Sequence, residues 1–311
     1  MPLAEGEWNL SYGARGILPA ADFTFGTFRS GFYLLEPYEI TYADTDAGDT
    51  PMPRTDAIRF GEDFRAQATL TFELGVDTVG GPALSRHGRN LDAVSALEQA
   101  WDAESVRRWS GKTAVLRTMQ GGRARRWYGR PRKCAPSGSR LTRQGYTPVV
   151  ATFACQESHS YDDVEKSVRV DLQPPPHRGL RGPLKAPVTM TGQSSAVVRG
   201  GLDVRGTKPT WPVLTIRGPL SQPQIELVGH WTVALDLTLG PNDSVTIDTR
   251  PWARTVLRNG SGSVAGALTW GSPRMENMRL PVGPQSLVLR GVDDTGSAFL
   301  TASWRDAYAY L

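Results

Sequence analysis

The chain has 311 residues with 33 Gly, 23 Pro and only 39% hydrophobic residues, a composition that excludes collagen and coiled coil. Thirty-five Lys plus Arg against 31 Asp plus Glu leave a formal charge of +4, too little for general attraction to nucleic acid, so any such role is local. Two domains are expected, because a single core stops growing before this length.

The opening Met1 to Glu7 carries two acids and no basic or apolar stretch, so it does not read as a secretory signal. No run approaches the roughly 18 apolar residues that span a bilayer. A soluble chain made in a cytoplasm, without a membrane partner, is expected. Strand-like runs then alternate with turns over 23–35, 38–42, 64–74, 113–119, 124–128 and 149–155. Phe64, Ala66, Ala68, Leu70, Phe72 and Leu74 fall on alternate positions, the period of a half-buried strand. One segment breaks this rhythm. From Asn90 to Trp109 there is no Gly or Pro, and Leu91, Val94, Leu97, Trp101 and Trp109 recur at helix-like spacing. The pattern predicts one substantial helix over about 91–108, with Asn90 as N-cap and Trp101 packed onto a sheet.

The strongest boundary lies at 173–187, where Pro174, Pro175, Pro176, Pro183 and Pro187 interrupt any ladder, because proline fixes φ and donates no backbone hydrogen bond. A first domain over 1–173, a Pro-rich linker over 174–187 and a second domain over 188–311 are expected. In the second, short apolar or β-branched runs cover 213–216, 224–228, 231–239, 244–248, 253–257, 264–269, 285–289 and 298–304. Turn signals such as Pro241-Asn242-Asp243 and Asn259-Gly260 separate them, which predicts an antiparallel β-sandwich. The fold class is therefore mainly β: a β-barrel-like N-terminal domain with one helix, followed by the sandwich.

Charge is uneven. Residues 1–104 hold seven basic and seventeen acidic side chains, whereas 105–156 hold twelve basic and none acidic. Blocks of opposite sign can pair within a fold or between subunits. Arg123, Arg125, Arg126 and Arg130, interleaved with Trp127 and Tyr128, are candidates for an interface or for lining a lumen. They also suit the solvent face of a hairpin balanced by the acidic segment.

Signals for chemistry are weak. His87, His159, His177 and His230 show no ligand spacing, Cys134 and Cys155 form no CxxC, and Asp44-Thr-Asp46-Ala-Gly48-Asp49 lacks the remaining ligands of a calcium loop. Glu36 and Glu39, three apart, point to opposite faces of a strand and make a poor acid–base pair. No nucleophile or nucleotide-cradle motif is present. No catalytic residue, cofactor or metal is expected, and Asn242-Asp-Ser and Asn259-Gly-Ser read as turns.

Several stretches in this order resemble the distal tail (Dit) or minor tail proteins of siphophages, particularly those infecting actinobacteria. In the N-terminal part, Ala96-Leu-Glu-Gln-Ala-Trp101, then Ala114-Val-Leu-Arg-Thr-Met and Arg123-Ala-Arg-Arg-Trp-Tyr-Gly-Arg130, is similar to that family's helix leading into a hairpin. Val150-Ala-Thr-Phe-Ala-Cys155 with Tyr161 resembles its strand and corner, although Ser158-His159 stands where the family often has a proline. In the C-terminal part the similar stretches are Gly206 to Gly218, Pro223-Gln-Ile225, Leu239 to Thr249 and Leu280-Pro-Val-Gly283-Pro-Gln-Ser-Leu.

The resemblance implies a virion structural protein of the bacteriophage tail tip or baseplate, assembled in the host cytoplasm as a homohexamer, with a galectin-like C-terminal sandwich. Its implied partners are further copies of itself, the tail tube protein, the tail-tip hub and the tape measure protein, with genomic DNA passing through the lumen. An alternative is a carbohydrate-binding module for host cell-wall adhesion, in which Trp211, Trp231, Trp252 or Trp270 stacks on a sugar.

Overall fold

A computed structural model describes residues 2–78, 82, 85–173, 200–293 and 295–311. The chain divides into two compact units, Met1–Asp163 with Tyr308–Leu311, and Val164–Ala307. The boundary expected at 173 moves to 163/164, because Lys166–Asp171 pairs along its whole length with Phe299–Trp304 in the second unit. The expected linker over 174–187 lies outside the described residues.

The first unit is built from β1 (Trp8–Tyr12), β2 (Ala21–Phe25), β3 (Phe32–Leu34), β4 (Glu39–Tyr42), four two-residue strands β5 (Asp46–Ala47), β6 (Thr50–Pro51), β7 (Ile58–Arg59) and β8 (Asp63–Phe64), then β9 (Ala68–Asp77). Helices α1 (Arg86–Asp102) and α2 (Glu104–Arg107) lead to β10 (Ala114–Gln120), β11 (Arg123–Pro136), β12 (Tyr146–Cys155) and β13 (Ser160–Asp162). The main sheet runs β2-β1-β10-β11-β12-β9-β3, and Gly26 N donates to Phe32 O at 2.6 Å, which brings the two ends together into a nearly closed barrel.

Strand alternation explains the barrel core. Ala68, Leu70, Phe72 and Leu74 of β9 are all buried, as are Trp8 and Leu10 of β1, Leu116 of β10, Trp127 of β11 and Phe153 of β12. Trp8 sits among aromatics, edge-on to Phe72 at 4.9 Å and stacked on Trp127 at 5.6 Å. Trp101 of α1 meets Phe25 at 5.6 Å, and its indole N–H donates to Thr152 O at 3.0 Å, so the helix does pack onto the sheet through this residue.

The helix begins earlier than expected and ends in two pieces. Its first turn, Arg86-His-Gly-Arg89, is polar and carries no apolar periodicity, so the pattern became visible only at Leu91. Asn90 is not the cap. It lies buried inside α1, where its amide donates to Val76 O at 3.1 Å and accepts from the Thr147 hydroxyl at 2.5 Å. Ala103, with φ +43°, breaks α1 from α2.

The second unit holds β14 (Lys166–Asp171), β15 (Gly200–Val204), β16 (Val213–Arg217), β17 (Leu220–Leu227), β18 (Trp231–Ala234), β19 (Thr238–Leu239), β20 (Ser244–Asp248), β21 (Thr255–Arg258), β22 (Gly262–Ser263), β23 (Gly283–Val292) and β24 (Phe299–Trp304). One sheet is ordered β14-β24-β16-β20-β21-β22 and the other β15-β23-β17-β18, with β19 also on β17. Leu214, Ile216, Ile247 and Leu300 from the first share one core with Leu202, Ile225, Leu227 and Leu289 from the second, so the two sheets form the expected antiparallel sandwich. The expected strand over 264–269 is instead a short 3-10 turn at Ala265–Ala267. Asn259 and Gly260 take φ +51° and +77°, which closes the hairpin between β21 and β22 as the Asn-Gly signal predicts.

Candidate functional site

Four arginines of the basic block at 105–156, Arg117, Arg125, Arg126 and Arg130, serve as internal cement. Arg125 on β11 is 7% exposed; it pairs with Asp162 at 3.0 Å and stacks over the Tyr308 ring at 3.7 Å. Arg126 donates from Nε and Nη2 to Asp163 Oδ1 at 2.9 and 2.6 Å and from Nη2 to Asp163 O at 3.1 Å. Arg117 donates to Asn9 Oδ1 at 3.0 Å and approaches Asp163 at 3.9 Å. Arg123 is exposed and donates to Leu311 O at 3.1 Å. Arg130 donates to the backbone carbonyls of Lys112 at 2.8 Å and Arg107 at 3.3 Å, and also to that of Trp109. The β11–β13 register, with Arg125 opposite Asp162 and Arg126 opposite Tyr161, produces this arrangement. The counter-charges of Arg125 and Arg126 therefore come from Asp162 and Asp163, not from the acidic 1–104 segment.

Within 105–156, Lys112, Arg132, Lys133, Arg140 and Arg143 are exposed and, like Arg123, outside any ion pair among the described residues. Lys112, Arg130 and Arg132 line a cleft of about 280 Å³ with Gln67, Ser110 and Gln156, and no acid lines it. Burial and the adjacent Arg132 together push the Arg130 guanidinium down from its ordinary value. The sequence singled out Arg123, Arg125, Arg126 and Arg130 and not Arg132, because nothing in composition separates a paired arginine from a free one.

Three of the four candidate sugar-stacking tryptophans offer no open platform. Trp211 is 4% exposed beneath the Arg279 guanidinium, 4.4 Å away, and Trp231 is 8% exposed with its N–H donated to Arg279 O at 2.8 Å. Trp252 is half-buried with Arg250 at 5.7 Å. Trp270 alone of the four stands fully exposed.

Elsewhere, polar residues serve the fold. In the stretch Leu239 to Thr249, Asp243 accepts from Asn259 Nδ2 and Gly240 N, both at 2.9 Å, and from Arg258. Hydrogen bonds from Asn259, Gly240 and Arg258 hold its carboxyl well below the usual carboxylate range. Thr249, fully buried, donates to Pro212 O at 2.7 Å. His159 lies beside Tyr161 and Glu157, and His87 beside Thr142 O, while His177 lies outside the described residues. Among the described residues no group of three or more His, Cys, Asp or Glu could hold a metal ion, and no helix is long and apolar enough to cross a membrane.

No protein-family model matches the chain, and no curated protein matches it in sequence. Solved structures do match. The Dit protein of phage SPP1, described as a paradigm of the hub adsorption apparatus in phages infecting Gram-positive bacteria, aligns at TM-score 0.56 and 11% identity over 96% of this chain and 98% of that one. The phage P2 baseplate in its activated conformation with Ca aligns at TM-score 0.53 and 9% identity, over 96% of this chain and 97% of its own. The same baseplate with Sr aligns at TM-score 0.50 and 9% identity with the same coverage. The likeness to phage distal tail proteins found in the sequence is thus present in three dimensions: over nearly its whole length, the chain has the fold of the SPP1 Dit protein and of the P2 baseplate chain.

Proposed function

We propose that the protein is a non-catalytic structural component of a siphophage tail tip, forming a homohexameric ring between the tail tube and the tail-tip hub. The observation that carries this reading is the fold match to SPP1 Dit over 96% of this chain and 98% of that one, which takes in both units. A module shared with an unrelated enzyme would leave much of one chain unmatched. The polar networks support the reading, since Arg125, Arg126, Arg130 and Asp243 act as folding devices. In this reading the sandwich is galectin-like in fold, the tape measure protein and genomic DNA pass through the ring, and the protein resides in the virion after assembly in the host cytoplasm. A ring also demands two different, mutually fitting patches on each subunit. Immunogold labelling of virions that carry this protein tests it: label confined to the tail tip supports the reading, and label on the capsid or along the whole tube refutes it.

A second reading has one observation in its favour. Trp270 is fully exposed in a turn of the sandwich, where it could stack on a sugar ring of the host wall. Tryptophan fluorescence that responds to cell-wall polysaccharide in the wild type and not in Trp270→Ala would support that reading; no response in either removes it.

A further inference from the structure

Between β4 and β9 the chain leaves the barrel as a two-stranded arm. Its ladder continues that of β4 and β9: Glu39 faces Thr71, Tyr42 faces Ala68, and further out Asp46 faces Phe64 and Ala47 faces Asp63, while Thr50 and Pro51 face Arg59 and Ile58 nearer the tip. Every residue from 41 to 65 is exposed. A two-stranded ribbon without a covering layer is at best marginally stable in water. This one also carries Met52, Ile58, Phe60 and Phe64, each between 47% and 82% exposed. Phe64 belongs to the same alternating apolar stripe that fills the barrel core from Ala68 inward, so the core pattern runs out into solvent. Scattered exposed apolar residues are ordinary, but four on one uncovered ribbon mark a surface that another body covers.

The charge on the arm narrows that body down. Residues 43–65 carry six acids (Asp44, Asp46, Asp49, Asp56, Glu62, Asp63) against three arginines, a net charge of −3. The acid-free cleft lined by Lys112, Arg130 and Arg132 has the opposite sign, and Lys112 and Arg132 are exposed outside any ion pair among the described residues. An arm and a cleft on one chain make the two unlike patches that a head-to-tail contact requires. We infer that the arm of one copy docks on a second copy of this chain, with its acidic side chains at the Lys112–Arg130–Arg132 cleft and its apolar residues covered by the neighbour. This deepens the ring reading and rests on it.

The test uses the full chain. Replacing Asp44–Ala66 by Asn-Gly keeps Ala43 and Gln67 opposite one another across a two-residue turn. Sedimentation velocity should then show only monomer where the wild type shows a large species, with near-UV circular dichroism unchanged. Lys112→Glu with Arg132→Glu, and separately Glu62→Lys with Asp63→Lys, should each weaken self-association at least tenfold. Mixing the two charge variants should restore it, because each altered patch then meets its complement. An armless chain that assembles like the wild type overturns the arm assignment while leaving the ring reading intact, including the case in which a different tail protein covers the arm. Loss of assembly without the arm, combined with wild-type assembly by Lys112→Glu/Arg132→Glu, overturns the cleft as its seat. A wild-type chain that stays monomeric at every concentration overturns this inference together with the self-assembling ring on which it rests.

Discussion

Arg126→Ala separates internal cement from interface most sharply. The guanidinium donates three hydrogen bonds to Asp163, two of them to one carboxylate oxygen, and a longer one to the Tyr128 hydroxyl at 3.4 Å. The Arg126 and Asp163 side chains are only 16% and 25% exposed. Breaking a fully buried pair costs about 3–5 kcal/mol, and one hydrogen bond to a charged group is worth about 1.5–3 kcal/mol. Water reaches the Asp163 carboxylate, and Arg117 stands 3.9 Å away as a substitute, so the expected loss is about 2 kcal/mol. For a unit of this size that corresponds to a fall in Tm of about 4–8 °C. Calorimetry of the full chain should show the fall in one unfolding transition, and a double-mutant cycle with Asp163→Ala should give a coupling of about 1–2 kcal/mol. A Tm within 1 °C of wild type, together with loss of self-association, would refute the reasoning, because Arg126 would then be acting on a neighbour and not on Asp163.

Other consequences follow from the same geometry. Trp101→Ala removes the aromatic seat of α1 and should destabilise the first unit by about 3–5 kcal/mol, read by chemical denaturation. Gly129→Ala should prevent soluble expression or lower Tm sharply, since an added Cβ would overlap the Ala154 carbonyl on β12. The lowered Asp243 carboxyl contributes stability that is complete above about pH 4 and is lost as pH falls through its folded-state value. Asp243→Asn should therefore flatten the acid limb of stability against pH, and an unchanged limb would contradict the hydrogen-bond account. Burial pushes the Cys134 thiol up to about 11 and the Cys155 thiol well above its ordinary value, so native protein at pH 8 should react slowly with a disulfide reagent and denatured protein should release two thiols quickly.

The sequence made the barrel, the helix and the sandwich legible because each depends on a short-range period. Leu97 and Trp101 revealed α1, and the alternation ending at Leu74 revealed β9. Hydrophobic period cannot say where a strand leaves its barrel. Phe64 and Leu70 occupy equivalent positions in one stripe, yet Leu70 is buried and Phe64 is 60% exposed, and only the missing layer over the arm distinguishes them. Pairing of charges was also out of reach. Asp162 and Asp163 sit just beyond the acid-free block, in a stretch whose charges balance overall, and β13 carries them back onto β11. The strand over Lys166–Asp171 was missed because its partner, Phe299–Trp304, lies more than a hundred residues away. Among the tryptophans, type and neighbours were alike, and burial alone set Trp270 apart.

The central claim is self-assembly into a tail-tip ring, and the most direct measurement is the mass of the purified full chain across concentration, with negative-stain images of the largest species. Six copies of the 33.9 kDa chain give about 203 kDa. A species near that mass with a central hole is expected. A chain that remains at 33.9 kDa at every concentration, alone and with tail tube and hub proteins added, would contradict it.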